Sequence, residues 1–117
     1  MKQLNLDLIK EGLLLKAVSF AKSSAPIYKT MNWKWTGIGV PNEENIMHAL
    51  NNLISQLDAT SFETDIPGCE VSAGGLLVGY KLYRDSYGVV VYIKTYIKFE
   101  FQDGSWNDIK LFLKDKT

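Results

Sequence analysis

Tyrosine and lysine alternate with apolar residues along one stretch of the chain, and this pattern is the best candidate for binding chemistry. Residues 89–101 read VVVYIKTYIKFEF. Successive side chains of a β-strand point to opposite faces. One face would be apolar and carry Val89, Val91, Ile93, Ile97, Phe99 and Phe101. The other would carry Tyr92, Lys94, Tyr96, Lys98 and Glu100. Phenol rings can stack on bases while the ammonium groups beside them neutralise phosphates. The same side chains can instead bury a large area against a protein partner.

The preceding segment extends this surface through a predicted β-hairpin. Residues 76–83 alternate as well, and Asp85, Ser86 and Gly88 are typical of a turn between two strands. The apolar side chains of the first strand are Leu76, Val78, Tyr80 and Leu82. The solvent side of the hairpin carries what we call the tyrosine-lysine face: Lys81, Tyr83, Tyr92, Lys94, Tyr96 and Lys98. A further strand would add Lys110, Phe112 and Lys114.

Three uses of the tyrosine-lysine face are compatible with the sequence. A protein partner would gain contact area from tyrosines, which lose little entropy on binding. Single-stranded nucleic acid is a weaker alternative, because 13 basic and 13 acidic residues give no net charge and Arg84 is the sole arginine. The face can also be merely solvated, because tyrosine favours strands and lysine on an exposed strand discourages aggregation.

The residues that catalysis or metal binding would need are scarce. The chain has one cysteine, Cys69, and one histidine, His48, and their spacing does not bring them together. A Cys-His active site is therefore a remote alternative. Structural zinc sites need about four Cys or His ligands, and Glu63, Asp65 and Glu70 lack the spacing of an EF-hand. We expect a protein that is not an enzyme and uses no cofactor and no metal.

Length and composition indicate a single domain over residues 1–117. The hydrophobic fraction of 46% and the charged fraction of 22% are ordinary for a globular protein. The lone cysteine fits a reducing compartment. The N-terminus lacks the apolar core of a signal peptide, and no apolar run approaches the roughly 18 residues of a membrane span. We therefore expect a cytoplasmic protein that does not bind a membrane.

Apolar residues recur at spacings of three and four near the N-terminus and predict a helix over about residues 4–22. Leu14, Leu15 and Val18 make this helix apolar over much of its circumference. Such a helix is covered by more than one element or is shared with a second copy, so a homodimer is one alternative. Gly12 inside the pattern would mark a close helix contact.

A second helix and a loop precede the strands. Asn42 stands where an N-cap belongs, with two glutamates after it, and predicts a helix reaching about Asp58. Residues 59–75 have no sustained period and predict a mobile loop that enters a strand around Glu70. Gly74 and Gly75 lack the lysine of a phosphate-binding loop. They would shape the entry to the strand and let another backbone approach closely.

The C-terminal segment leaves two interpretations open. Ile109, Leu111 and Leu113 alternate with polar or aromatic residues and favour a strand, whereas Ser105 as an N-cap would begin a helix. Of the two, we predict the strand, which would be the third of the sheet. We predict an α+β protein with two N-terminal helices packed on one face of an antiparallel meander of three or more strands.

Three short motifs occur in an order that resembles small phage and mobile-element proteins of no known activity. The motifs are Trp33-Lys34-Trp35, then Val40-Pro41-Asn42-Glu43-Glu44-Asn45-Ile46, then Ser72-Ala73-Gly74-Gly75-Leu76. This resemblance implies a small accessory protein that binds a host or phage macromolecule, and it supplies no functional residues. We therefore expect a non-enzymatic interaction protein that acts through the tyrosine-lysine face or through a shared N-terminal helix.

Overall fold

The computed structural model describes residues 2–110 and 112 of the protein, with side chains from residue 6 onward. Two α-helices come first, α1 over Lys2–Ser24 and α2 over Glu43–Ser55. The strands are β1 over Gly68–Ala73, β2 over Leu76–Arg84, β3 over Val90–Glu100 and β4 over Trp106–Asp108. They form an antiparallel sheet in the order β1-β2-β3-β4. The helices pack against this sheet, so the predicted α+β class is confirmed.

The start of α2 and the packing of α1 follow from their sequences. The side-chain oxygen of Asn42 accepts a hydrogen bond from the Asn45 amide at 2.8 Å, which confirms the predicted N-cap. Helix α2 ends at Ser55, which is earlier than the end predicted near Asp58. Short 3-10 helices cover Ala25–Thr30 and Thr60–Phe62. One stripe of α1 is fully buried and joins the core through Leu13, Ala17 and Phe20.

The β2–β3 hairpin is confirmed, with one exception to its predicted dry face. Leu76 pairs with Phe99 and Val78 with Ile97, and all of these side chains are at most 1% exposed. The valines nearest the turn differ, because Val89 is 57% and Val91 is 64% exposed. The register of the hairpin shifts beside Val91, where Arg84 pairs with Val90, and Val90 packs against the core in place of its two neighbours. The prediction that Val89 and Val91 are buried is therefore wrong.

The last described residues contain both a strand and a helical turn, in succession. The strand β4 covers Trp106–Asp108, which is earlier than the predicted strand, and Ile109 and Lys110 are already helical. Phe112 contacts the ring of Phe99 at a centroid distance of 5.1 Å, so it joins the core instead of the tyrosine-lysine face. Lys114, the other residue predicted to extend that face, lies outside the described residues.

The segment 59–75 is more regular than the predicted mobile loop. It contains a 3-10 turn and all of β1, which begins at Gly68. Its two consecutive glycines have positive φ angles of 68° and 87° and form the turn into β2. A Cβ atom on Gly75 would lie 2.1 Å from the carbonyl oxygen of Lys34, so the predicted close backbone approach is confirmed. Gly12 has nothing within 4 Å of such a Cβ atom and makes no close contact.

Candidate binding face and strand edge

The outer end of the tyrosine-lysine face is built by the register of the hairpin. Lys81 lies directly opposite Lys94, and Tyr83 lies opposite Tyr92. The rings of Tyr83 and Tyr92 contact each other at a centroid distance of 5.6 Å, and they are 45% and 58% exposed. Both lysines are exposed, and neither forms an ion pair with a described carboxylate. Like charges directly opposite destabilise a strand pair, so folding alone does not account for this lysine pair.

Tyr96 occupies the middle of the same face but is buried. Its ring crosses Gly79 on β2, and its hydroxyl donates a 2.5 Å hydrogen bond to Glu70 Oε2 on β1. Only 4% of Tyr96 is exposed. Burial raises the pKa of the Tyr96 phenol well above its usual value, and the hydrogen bond and charge of Glu70 raise it further. Tyr96 therefore cannot offer its ring to a partner in this arrangement.

Lys98 is also partly withdrawn from solvent. Its ammonium lies 5.1 Å from the centre of the Tyr96 ring, in a cation-π contact. Lys98 is half-buried and stands opposite Asp108 of β4 in the strand register. The structure therefore separates the predicted site into two parts. The exposed part contains Lys81, Tyr83, Tyr92 and Lys94, whereas Tyr96 and Lys98 form a packed strut across the sheet.

A groove of about 590 Å³ lies beside the edge of β3, between that edge, α1 and the start of the C-terminal helical turn. We call it the edge groove. Its charged lining residues are Lys16, Lys94, Asp108 and Lys110. The Lys16 ammonium donates hydrogen bonds of 2.8 Å to the backbone carbonyl and to the hydroxyl of Thr95. Sequence reasoning missed this groove, although a lysine between Leu15 and Ala17 in an apolar helix was a signal.

Two lysines of the edge groove act electrostatically on the third, Lys16. Partial burial lowers the pKa of the Lys16 ammonium, and the positive charge of Lys110 lowers it further. Lys94 acts in the same direction, while the carboxylate of Asp108 opposes these effects. The groove therefore has an excess of positive charge, and an anionic group placed in it would relieve the repulsion.

The residues of the remote Cys-His alternative line different cavities. His48 lies beside a cavity of about 480 Å³ next to α2 and faces Glu44 at 3.7 Å. Cys69 is half-buried in β1 and borders a separate cavity near Tyr96. The described residues contain no group of three or more His, Cys, Asp or Glu side chains that could hold a metal ion. None of the helices in this described part of the chain combines the length and the hydropathy that a membrane span requires.

These elements define an α+β protein with a charged, aromatic sheet face and an adjoining strand edge. Comparison of the chain with protein-family models, with curated proteins and with solved structures finds no match. The functional argument therefore rests on the geometry of these two surfaces.

Proposed function

We propose that this chain is a small, non-enzymatic cytoplasmic accessory protein, of phage or mobile-element type, that binds a protein partner through the exposed part of the tyrosine-lysine face. The observation that carries the proposal is the Lys81–Lys94 couple, which has no ion pair with a described carboxylate and lies beside two contacting tyrosine rings. Tyrosine rings are typical anchors of protein interfaces, because they bring contact area at low entropic cost. An acidic patch on a partner would relieve the lysine repulsion that the free protein tolerates.

Reversal of the charges of Lys81 and Lys94 should weaken partner capture by about tenfold or more, which corresponds to at least about 1.4 kcal/mol of binding free energy. The test variant is Lys81→Glu with Lys94→Glu, and the matched control is Lys22→Glu with Lys29→Glu, whose lysines are exposed on the helical layer. Each variant is immobilised and used to capture proteins from a lysate after nuclease treatment. Circular dichroism verifies that the fold is unchanged.

One protein retained by the wild type and the control, but lost from the test variant, would support the proposal. Equal retention by both variants would contradict it. Single-stranded nucleic acid is the second candidate, because Lys81 and Lys94 could neutralise phosphates while Tyr92 stacks on a base. This alternative requires nuclease-sensitive capture and an affinity for an oligonucleotide that falls steeply with salt. Affinity that is flat with salt would exclude it.

The outer side of α1 is a candidate for a homodimer contact. Leu8 is 57% and Leu15 is 71% exposed, one heptad apart, and Gly12 between them leaves open space around its Cα atom. Burial of such an apolar helix stripe under a second copy lowers the free energy of the protein. We expect wild-type protein to sediment at twice its mass of 13.2 kDa.

The dimer contact is tested by Leu8→Lys combined with Leu15→Lys, with Ile38→Lys as the control because Ile38 is 94% exposed elsewhere. Sedimentation equilibrium should show a monomer for the helix variant and a dimer for the control. Wild-type protein that is monomeric throughout the accessible concentration range would remove α1 as a shared surface.

A further inference from the structure

One edge of β3 is largely open because the chain turns away after β4. β4 pairs only with residues 98–100 of β3. The carboxylate of Asp108 then accepts a hydrogen bond of 2.9 Å from the Lys110 amide and begins a helical turn, which ends the strand. Within residues 2–110 and 112, no strand pairs with β3 between residues 90 and 97 on this side.

The polar backbone groups of this open edge are in position to receive a strand. In an antiparallel sheet, alternate residues direct their N–H and C=O groups to opposite neighbours. The Phe101 amide donates to the Ser105 carbonyl at 2.7 Å, so the backbone N–H and C=O groups of the odd-numbered residues of β3 point away from β2. Ile93 and Thr95 therefore present their backbone groups to the edge groove. The Lys16 ammonium, which donates to the Thr95 carbonyl, is consistent with this assignment.

The charge of the groove indicates what kind of strand it would accept. Lys16, Lys94 and Lys110 are all exposed lining residues, and Asp108 is the one carboxylate among the lining residues. An incoming peptide N–H could replace Lys16 at the Thr95 carbonyl. The released ammonium would then be available to a carboxylate of the incoming strand, where a charge-assisted hydrogen bond is stronger than a bond to a neutral carbonyl.

We propose that the open edge of β3 accepts an extended, acidic segment of a partner protein as an added strand, and that Lys16, Lys94 and Lys110 bind its carboxylates. This inference rests on the proposed partner-binding function and specifies the chemistry of the partner. Main-chain hydrogen bonds to Ile93 and Thr95 provide affinity that is independent of sequence, and the lysines provide selectivity for acidic segments. Lys94 belongs to both surfaces, so one partner can cover the edge and the tyrosine-lysine face together.

Charge complementarity favours this occupant over two others. A second copy paired along the same edge would bring the three groove lysines of each copy to one seam, where like charges repel. The side chains of residues 113–117, with Lys114 and Lys116 against Asp115, carry a net positive charge as well. An acidic segment of a different protein is the occupant that relieves the charge of the groove.

The test uses a capped, fluorescent peptide of about eight residues, an ordinary strand length, in which glutamate alternates with valine. Two further peptides carry N-methyl groups on either the odd or the even amides, so that only one of them keeps the N–H groups that face β3. Fluorescence anisotropy measures binding to the full chain. We expect the parent peptide and one methylated isomer to bind, and the other isomer to bind at least about tenfold more weakly. Equal affinities of the two isomers would overturn strand addition.

Protein variants then separate the edge groove from the tyrosine-lysine face. Lys16→Met combined with Lys110→Glu should weaken peptide binding by about tenfold or more, and Lys110→Glu alone provides a second variant if Lys16→Met impairs folding. Lys29→Glu lies outside both surfaces and should leave peptide binding unchanged. Peptide binding that survives both groove changes would overturn the proposal. A third outcome separates the two surfaces. If the Lys81→Glu/Lys94→Glu variant loses its partner but the acidic peptide does not bind even to the wild type, the edge groove is rejected and the tyrosine-lysine face is retained.

Discussion

Replacement of Gly75 by alanine should lower the free energy of unfolding by about 2–5 kcal/mol, as the sum of backbone strain and steric overlap. Gly75 has a φ angle of 87°, a conformation that residues with a Cβ atom rarely adopt. The added Cβ atom would also lie 2.1 Å from the Lys34 carbonyl oxygen and 3.2 Å from Trp33 Nε1. Because the carbonyl belongs to the backbone, the whole segment around Lys34 would have to shift.

That shift would affect several hydrogen bonds. The Gly75 carbonyl accepts from Trp33 Nε1 at 3.0 Å and from the Glu100 amide at 2.9 Å, so it connects the tryptophan segment to both strands of the hairpin. Trp33 is only 5% exposed, and its ring contacts Phe20 and Phe99. Movement of this residue would therefore disturb the core as well as the turn.

Gly88→Ala is the matched control for Gly75→Ala. Gly88 has a similar φ angle of 84°, but nothing lies within 4 Å of the position of its Cβ atom. The control therefore measures backbone strain alone, about 1–3 kcal/mol. Urea unfolding followed by circular dichroism gives both free energies. If the two variants lose equal stability, the close approach of the Lys34 backbone contributes nothing and the explanation of the large effect is wrong.

The sequence predicts those features of the fold that are determined by residues close together in the chain. The Asn42 cap depends on residues 42–45, and the β2–β3 hairpin depends on alternation interrupted by a short turn. The close approach at Gly74 and Gly75 is also readable, because two glycines before an alternating strand have few other uses. These features were predicted correctly because each is determined within a few residues of the chain.

The exposure of the tyrosine-lysine face is not readable in this way. Alternation assigns Tyr96 to a face, but its burial depends on Gly79 in the neighbouring strand and on Glu70 one strand further. The register that brings these residues together is a tertiary property. Val91 shows the opposite error, because alternation predicts its burial, while a shift in the hairpin register directs the neighbouring Val90 to the core instead.

The edge groove depends on contacts that are even more distant in the chain. Lys16 meets Thr95, which is 79 residues away. The open edge exists because Asp108 ends β4 after three residues. A period-two pattern over residues 109–113 instead predicts a longer strand, which would have extended the pairing along β3. A longer strand at the C-terminus would therefore cover the open edge of β3, to which we propose that a partner strand adds.

Replacement of Gly79 by alanine should lower the free energy of unfolding by about 1–3 kcal/mol, because the added Cβ atom overpacks the strut formed by Tyr96. This atom would lie 2.8 Å from Tyr96 Oη and 2.9 Å from the Cys69 carbonyl oxygen. Tyr96→Phe should cost about 1 kcal/mol, since it removes one hydrogen bond to an exposed carboxylate. Urea unfolding of the two single variants and of the double variant forms a thermodynamic cycle. Strictly additive losses would show that Gly79 does not make room for the phenol.

The pH dependence of stability gives an independent measure of the same strut. The pKa of Tyr96 is raised in the folded protein, whereas the unfolded chain ionises its tyrosines near pH 10 (roughly). The stability contributed by the neutral phenol is therefore fully present below about pH 10, and it is lost as the pH rises from there towards the folded pKa. Tyr96→Phe should lose less stability than the wild type above about pH 10.

The wild-type slope above this pH also contains a contribution from Tyr80, whose pKa is raised by burial, so the quantity to measure is the difference between wild type and Tyr96→Phe. Gly79→Ala should reduce the slope in the same direction, because a displaced ring is more exposed to water. Equal slopes in wild type and Tyr96→Phe would mean that the phenol is solvated in solution. Tyr96 would then be available on the tyrosine-lysine face, and the binding surface would extend along β3 as far as Lys98.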